Sequence, residues 1–101
     1  MTEPLVFRSA AGTVTVTAAA LSRLVADAVT SVDGARLRRP RRGLEIRHSG
    51  GRASVTLELS VRQGAVMPQL AQAVQERVAQ ALAQTGSLEV ELVDVEIEEA
   101  T

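Results

Sequence analysis

The sequence predicts an α+β domain in which one mixed sheet carries two helices on one face. Two segments show the helical spacing of apolar residues, and several others alternate apolar and polar residues as strands do. These segments follow one another in the order β-α-β-β-α-β. That order favours the split βαβ arrangement of ferredoxin-like folds, because both helices can then cover the same side of a single sheet.

A run of alternating β-branched residues predicts the first strand, and the apolar residues at helical spacing after it predict the first helix. Thr13–Thr17 alternates and reads as a strand, and Leu5–Phe7 forms a preceding extended piece. Thr17 can also cap the helix that follows, and Gly34 suits a left-handed helix exit. The apolar face of this helix consists of Leu21, Leu24, Val25, Ala28, Val29 and Val32.

The middle of the chain predicts an antiparallel hairpin. Leu44, Ile46 and His48 share one parity, and the turn Ser49–Arg52 contains two glycines. The longest alternating run follows this turn and is predicted to be the central strand. Its inward residues are Ala53, Val55, Leu57, Leu59 and Val61.

The second helix is predicted to begin at Pro68, since proline lacks an N–H and fits the first helical turn. Gly86 is predicted to end this helix. Its apolar face consists of Leu70, Ala71, Val74, Val78, Ala81 and Leu82.

The last strand changes parity halfway along its length. Leu88, Val90 and Leu92 share one parity, whereas Val93, Val95 and Ile97 share the other. One extra residue in the ladder would keep both sets on the core face. We therefore predict a β-bulge near Leu92 and Val93.

The length and composition indicate one domain without thiol chemistry. The 101 residues suffice for a single α+β domain, predicted over residues 12–99 after an N-terminal extension of residues 1–11. Cysteine is absent, which excludes disulfides, thiolate metal sites and cysteine nucleophiles. Met1–Pro4 is acidic without an apolar h-region, and no run approaches the roughly 18 apolar residues of a membrane span. We expect a cytoplasmic protein whose membrane role is peripheral.

A succession of short motifs carries a family resemblance. The strongest is Gly64–Leu70, where a strand ends and a proline opens a helix, continuing into the Val-Gln-Glu-Arg-Val of residues 74–78. Gly12–Val16 matches an opening strand, Val32–Ala35 a helix exit and Val55–Val61 a long strand. Leu88–Ile97 matches a closing strand. From about Gly12 to about Ile97 the chain resembles the alkaline shock protein family, cell-envelope stress response proteins of Gram-positive bacteria.

The resemblance implies a protein that works by binding and not by catalysis. Members of the family are small, abundant, non-enzymatic cytoplasmic proteins. Some lie at the inner face of the cell membrane through a membrane-anchored partner, and some self-assemble. The expected partners are therefore a membrane-anchored protein of the same system, another copy of the chain, or an anionic lipid. No cofactor and no small-molecule substrate are implied.

The sharpest candidate site is a cluster of arginines in a segment predicted to be a loop from Arg36 to Arg42. Residues 36–52 contain seven Arg and one Glu, a net charge of +6. Such a loop could bind lipid phosphates, nucleic-acid phosphates or an acidic protein face. A solvated loop with no ligand is the plainer interpretation, and it stays open. The candidate anion- or partner-binding residues are Arg36, Arg38, Arg39, Arg41 and Arg42.

Nucleic-acid association through the same loop is the alternative function. Arginine can bind phosphates, but recognition of single-stranded bases usually adds aromatic stacking. The only aromatic residue is Phe7, which lies outside the cluster, and the whole chain has a net charge of −1. Any such binding is expected to be independent of sequence.

The C-terminal segment carries a negative charge as large as the positive charge of residues 36–52. Residues 86–101 contain six acids and no base, a net charge of −6. A straight strand spreads its carboxylates too far apart for a calcium loop, so we predict that these charges protect a sheet edge. The basic loop of one copy could also approach the acidic strand of the next, which would build head-to-tail assemblies.

The sequence shows no recognisable catalytic constellation. His48 is the only histidine, and one histidine without cysteine does not make a typical zinc site. Ser49 follows it directly, but neighbouring residues of a strand point to opposite faces, so the two cannot pair as nucleophile and base. We therefore expect no catalytic residues and no metal site.

Overall fold

The architecture was obtained as a computed structural model, which describes residues 5–38, 44–85 and 88–100. These described ranges contain six strands and two helices, in the order β-β-α-β-β-β-α-β. The α+β class predicted from the sequence is confirmed. The elements are β1 (Leu5–Ser9), β2 (Gly12–Val16), α1 (Ala18–Thr30), β3 (Ala35–Leu37), β4 (Leu44–Ser49), β5 (Arg52–Val61), α2 (Met67–Ala83) and β6 (Glu89–Ala100).

The main sheet is built around β5. Strand β6 pairs with β5 in parallel along its whole length, from Arg52 to Val61, and therefore occupies one edge of it. Strands β3 and β4 both pair with β5 in antiparallel orientation, at Leu59–Val61 and at Arg52–Leu57 respectively. Because β6 occupies one edge of β5 throughout, β3 and β4 lie end to end along the other edge. We call this interrupted strand the β3/β4 edge.

The N-terminal strands form a separate two-stranded sheet. β1 pairs with β2 in antiparallel register, from Leu5 opposite Val16 to Ser9 opposite Gly12. The alternating residues that predicted the opening strand thus pair with the preceding extended piece and not with β5. For this reason the exact ferredoxin-like topology is not confirmed, although the mixed sheet with two helices is.

The hairpin between β4 and β5 follows from two glycines. Gly50 and Gly51 have φ angles of 59° and 80°, and Ser49 stands opposite Arg52. Positive φ at both central residues is the requirement of a type I′ turn, whose twist matches that of the flanking strands. The predicted hairpin is therefore confirmed, and its register sets which side of the sheet each residue of β4 faces.

Both helices begin where the sequence predicts. The Thr17 hydroxyl accepts a hydrogen bond from the Ala20 amide at 3.1 Å and caps α1. Pro68 lies in the first turn of α2, but its N-cap residue, Val66, offers no side-chain hydrogen bond. The helix ends with Gln84 as the C-cap, and the predicted terminator Gly86 lies outside the described residues.

The core lies between one face of the sheet and both helices. The inward residues of β5 are at most 1% exposed, and they pack in one cluster with the apolar faces of α1 and α2. The prediction that both helices cover the same side of the sheet is confirmed. The buried helical residues are Leu21, Val25 and Val29 of α1, and Leu70, Val74, Val78 and Leu82 of α2.

The parity switch in β6 is produced by a bulge, as predicted, but at a different residue. Ala53 stands opposite Val90 and Ser54 opposite Leu92, so Glu91 is the extra residue. Leu92 is consequently turned to solvent with 56% of its surface exposed, and its predicted place in the core is wrong. A second register shift, between the pairs of Leu59 and Ser60, makes Glu98 extra as well.

Candidate functional site

The open face of the sheet, on the side away from the helices, collects the charged residues. Along β5 this face carries the small polar side chains of Ser54, Thr56 and Ser60 together with Glu58. Register places the outward residues of the neighbouring strands beside them. The arrangement of charge on this face therefore depends on what each edge strand contributes.

The β3/β4 edge contributes mainly arginine. Arg36 stands opposite Ser60 and is exposed, and Arg47 stands opposite Ser54 with 82% of its side chain exposed. Glu45, opposite Thr56, is the one described acid on this edge, and its carboxylate accepts a hydrogen bond from Arg47. The described part of this edge is therefore basic on balance.

The opposite edge, β6, contributes carboxylates. Glu89, Asp94 and Glu96 stand opposite Arg52, Thr56 and Glu58, and all three acids are exposed. The open face thus runs from basic to acidic across the sheet. With strands about 4.8 Å apart, the two edges are separated by roughly 10 Å.

The arginine cluster is only partly a loop. The prediction that residues 36–42 form a loop is wrong at Arg36, which lies inside β3 and pairs with Ser60. Strand β3 forms because Leu37 and Ala35 face the core opposite Leu59 and Val61. Arg39, Arg41 and Arg42 lie outside the described residues.

The two described residues that flank residues 39–43 lie at defined places on the sheet. The Arg38 amide donates to the Glu58 carbonyl at 2.9 Å, and Leu44 pairs with Leu57, the neighbouring position on β5. Arg38 and Leu44 therefore lie at adjacent positions along the β3/β4 edge.

Both bulges of β6 present a glutamate to an arginine. Arg38 Nη1 donates to Glu98 Oε2 at 3.2 Å, and Arg52 Nη1 lies 3.5 Å from Glu91 Oε1. A β-bulge re-aims the side chain of the extra residue, which brings these carboxylates to arginines across the sheet. The basic and acidic segments of the sequence therefore meet within one chain. Arg38 is engaged internally, unlike the exposed Arg36.

Three carboxylates converge near the Arg38 end of the face. One oxygen each from Glu58, Glu96 and Glu98 lies within 4.8 Å of the others. Glu96 and Glu98 are exposed, and the Arg38 guanidinium already neutralises Glu98. Glu96 and Glu98 lie on the edge strand β6, so edge protection stays the prediction for these two acids, whereas Glu58 lies on the central strand.

A further arginine, Arg62, was missed in the sequence. It follows β5 on the outward parity of Ser60, and its Nη1 lies 3.1 Å from Asp33 Oδ2 beside Gly34. The signal that could have found it is the continuation of β5 alternation past Val61. With Arg36 on the neighbouring strand, it places a second cation at that end of the sheet.

His48 and Ser49 behave as strand neighbours. His48 is half-buried opposite Ala53, and Ser49 is exposed opposite Arg52. Their side chains face different sides of β4, as alternation requires.

Comparison with known proteins supports the resemblance seen in the motifs. The model of the alkaline shock protein family, described as having a cell envelope-related function, matches residues 6–101. No curated protein and no solved structure matches the chain. Among the described residues, neither helix has the length and apolar character needed to cross a membrane. Since the match covers nearly all of its length, the chain belongs to the alkaline shock protein family, with its cell envelope-related function.

Proposed function

We propose that this protein serves the cell envelope by binding, without catalysis. Its arginine-bearing β3/β4 edge docks on the anionic inner surface of the membrane or on a membrane-anchored partner, and copies of the chain associate with one another. The observation that carries the proposal is the separation of charge on the open face. Arg36 and Arg47 lie on one edge, and Glu89, Asp94 and Glu96 lie on the other.

Separation of the two edges matters because the whole chain is nearly neutral. A net charge of −1 would give little attraction to an anionic surface if the charges were mixed. With the acids roughly 10 Å away, about one Debye length at physiological salt, the basic edge can approach such a surface with weak opposition.

The same separation supports association between copies. Two β6 edges facing each other would oppose like charges, and so would two β3/β4 edges. A basic edge facing an acidic edge is attractive, which favours a head-to-tail contact that builds rings or filaments.

Vesicle sedimentation tests the docking edge. One variant carries Arg36→Ser and Arg47→Ser, and its matched control carries Arg23→Ser and Arg77→Ser on the helices, so both lose two positive charges. If each arginine contributes about 1 kcal/mol near an anionic surface, the first variant should lose binding about 30-fold. The control should bind phosphatidylglycerol vesicles nearly as well as wild type, and none should bind phosphatidylcholine vesicles.

A pull-down from gently solubilised native cells distinguishes the lipid from a protein partner. Retention of a membrane protein by wild type and control, but not by the first variant, supports docking through the β3/β4 edge. Retention by all three moves the contact to another surface. Recovery of mainly nucleic acid, lost in the first variant, would favour the nucleic-acid alternative and overturn the proposal.

A further inference from the structure

The end of the sheet nearest α1 contains a cleft with two arginines on its rim. It encloses about 290 Å³ and is lined by residues 33–36 and 60–62. The cleft forms where the exit of α1 turns into β3 and where β5 ends. The Arg62 amide donates to the Gly34 carbonyl at 2.8 Å and extends the β3–β5 ladder by one more pair, so the walls are backbone held by hydrogen bonds.

The two arginines are diagonal neighbours across this ladder. Arg36 stands opposite Ser60, and Arg62 follows Ser60 by two residues on the same outward parity. Diagonal positions of an antiparallel pair have side chains roughly 7–8 Å apart at their base, within reach of long side chains. Two guanidinium groups so placed repel each other unless an anion lies between them.

The chain supplies only a weak counter-charge at this place. Arg62 pairs with Asp33 at 3.1 Å, but the two side chains are 62% and 88% exposed. Exposed pairs of this kind contribute about 0–1 kcal/mol and open readily. Arg36 has no ion-pair partner among the residues that the structure describes.

We infer that this cleft binds a phosphate oxyanion between Arg36 and Arg62, with Asp33 as a built-in competitor that the anion displaces. Guanidinium groups bind phosphate oxygens through paired, charge-assisted hydrogen bonds, which suits a doubly or singly charged phosphate. The phosphate of a lipid headgroup and free inorganic phosphate share this chemistry. The inference rests on the proposed function in one respect, since it names the group that the basic edge would meet at a membrane.

Backbone amide shifts in NMR titrations test the site directly. The probes are inorganic phosphate and glycerophosphoglycerol, a headgroup phosphodiester without acyl chains, each added at constant pH and ionic strength. Saturable shifts at Gly34, Ala35 and Arg62 are expected. Arg36→Ser and Arg62→Ser should each weaken binding at least tenfold, whereas Arg47→Ser, on the same face but at the far end of the edge, should leave it unchanged.

Variants of Asp33 distinguish a specific site in the cleft from general charge attraction. Asp33→Asn frees Arg62 and should tighten phosphate binding several-fold, whereas Asp94→Asn removes the same charge on β6 and should have little effect. Equal tightening in both variants, or shifts spread evenly over all arginines, would overturn the site. Saturation by inorganic phosphate alone would assign the site to free phosphate, and saturation by both probes would extend it to headgroups.

The outcomes separate this inference from the proposed function. Anionic vesicles that bind Arg62→Ser protein as well as wild type would overturn the cleft as a headgroup site, while the docking edge, which does not include Arg62, stands. Saturable phosphate binding without any vesicle or partner binding would keep the cleft and overturn the docking proposal.

Discussion

The Arg38 guanidinium reaches across the central strand to Glu98, with 3.2 Å between Nη1 and Oε2. Arg38 follows β3 on one edge of the sheet, and Glu98 is the bulge residue of β6 on the other. The pair therefore links the two edges over the Glu58 position of β5. It also explains why Arg38 differs from the exposed Arg36, because the charge of Arg38 is already paired within the chain.

A double-mutant cycle on this pair should give a modest coupling energy. With side chains 32% and 31% exposed, the pair is better shielded than Arg47 and Glu45, which are 82% and 52% exposed. We expect Arg38→Ala and Glu98→Ala to couple by about 0.5–1 kcal/mol in urea unfolding, and to lose part of that coupling in high salt. The same cycle on Arg47 and Glu45 should give less. Equal couplings would show that the bulge does not shield the first pair.

Truncation of two leucines tests the position of the bulge in β6. Leu57 is fully buried in β5, whereas Leu92 is 56% exposed because Glu91 is the extra residue. Leu57→Ala should lower the free energy of unfolding by about 2–5 kcal/mol, whereas Leu92→Ala should change it by at most about 0.5 kcal/mol. A loss of more than about 1 kcal/mol in Leu92→Ala would show that Leu92 packs in the core and that the extra residue lies further along β6.

Leu92 also shows what the sequence could and could not predict. The parity switch requires one extra residue somewhere between Val90 and Val93, but alternation alone does not say which residue is extra. The choice of Glu91 depends on how its neighbours Val90 and Leu92 pair with β5, a strand that is distant in the sequence. It also depends on Arg52, whose side chain reaches the Glu91 carboxylate. The helix starts and the β4–β5 hairpin depend on local spacing, caps and turns, and they were predicted correctly. The end of α1 was not, because the helix stops at Thr30 with Ser31 as its C-cap, before the predicted exit at Gly34.

The candidate site was predictable in composition and less so in geometry. The sequence identifies the arginines, but it does not reveal β3. Three residues are too few to show alternation, and the five like charges of the segment favour a loop. The formation of β3 depends on long-range pairing with the end of β5. Continued alternation of β5 can place Arg62 on this face, but only the ladder shows that it lies beside Arg36.

Two glycines with positive φ should differ in their tolerance of alanine. Gly34 has φ of 87°, and a Cβ there would lie 3.3 Å from Leu70 Cδ1 of α2. Gly50 has φ of 59° and no atom within 4 Å of the added carbon. Gly50→Ala should cost about 1 kcal/mol of left-handed strain, and Gly34→Ala should cost more because a buried leucine must also move. Thermal and urea unfolding measure both, and equal losses would mean that Leu70 yields freely.

The N-terminus of α2 should accept a stabilising substitution. Val66 is the N-cap residue, is 58% exposed and offers no side-chain acceptor to the first turn. Val66→Ser should raise the free energy of unfolding by about 0.5–1 kcal/mol, since serine can accept from one of the unpaired amides. Thr17→Ala, which removes the cap that α1 already has, should lower it by about 1 kcal/mol. If Val66→Ser does not raise the free energy of unfolding, the Val66 side chain makes a contact that stabilises the protein as much as the new cap does.

Complementary variants should reveal whether copies associate head to tail. The first carries Glu89→Gln, Asp94→Asn and Glu96→Gln, which neutralise the acidic edge but spare the internally paired Glu91 and Glu98. The second carries Arg36→Ser and Arg47→Ser on the basic edge. If basic and acidic edges meet, wild type should form salt-sensitive assemblies that grow with concentration, and each variant alone should sediment as a monomer.

A mixture of the two variants gives the decisive result. The first retains a basic edge and the second an acidic edge, so one contact can form and both outer edges are then blocked. Sedimentation velocity should show complexes of two that do not grow with concentration. Replacing the second variant by Arg23→Ser, Arg77→Ser, which removes the same charge from the helices, should leave its own assembly intact. A wild type that stays monomeric at low salt and high concentration, or variants that each still pair with themselves, would contradict the head-to-tail contact.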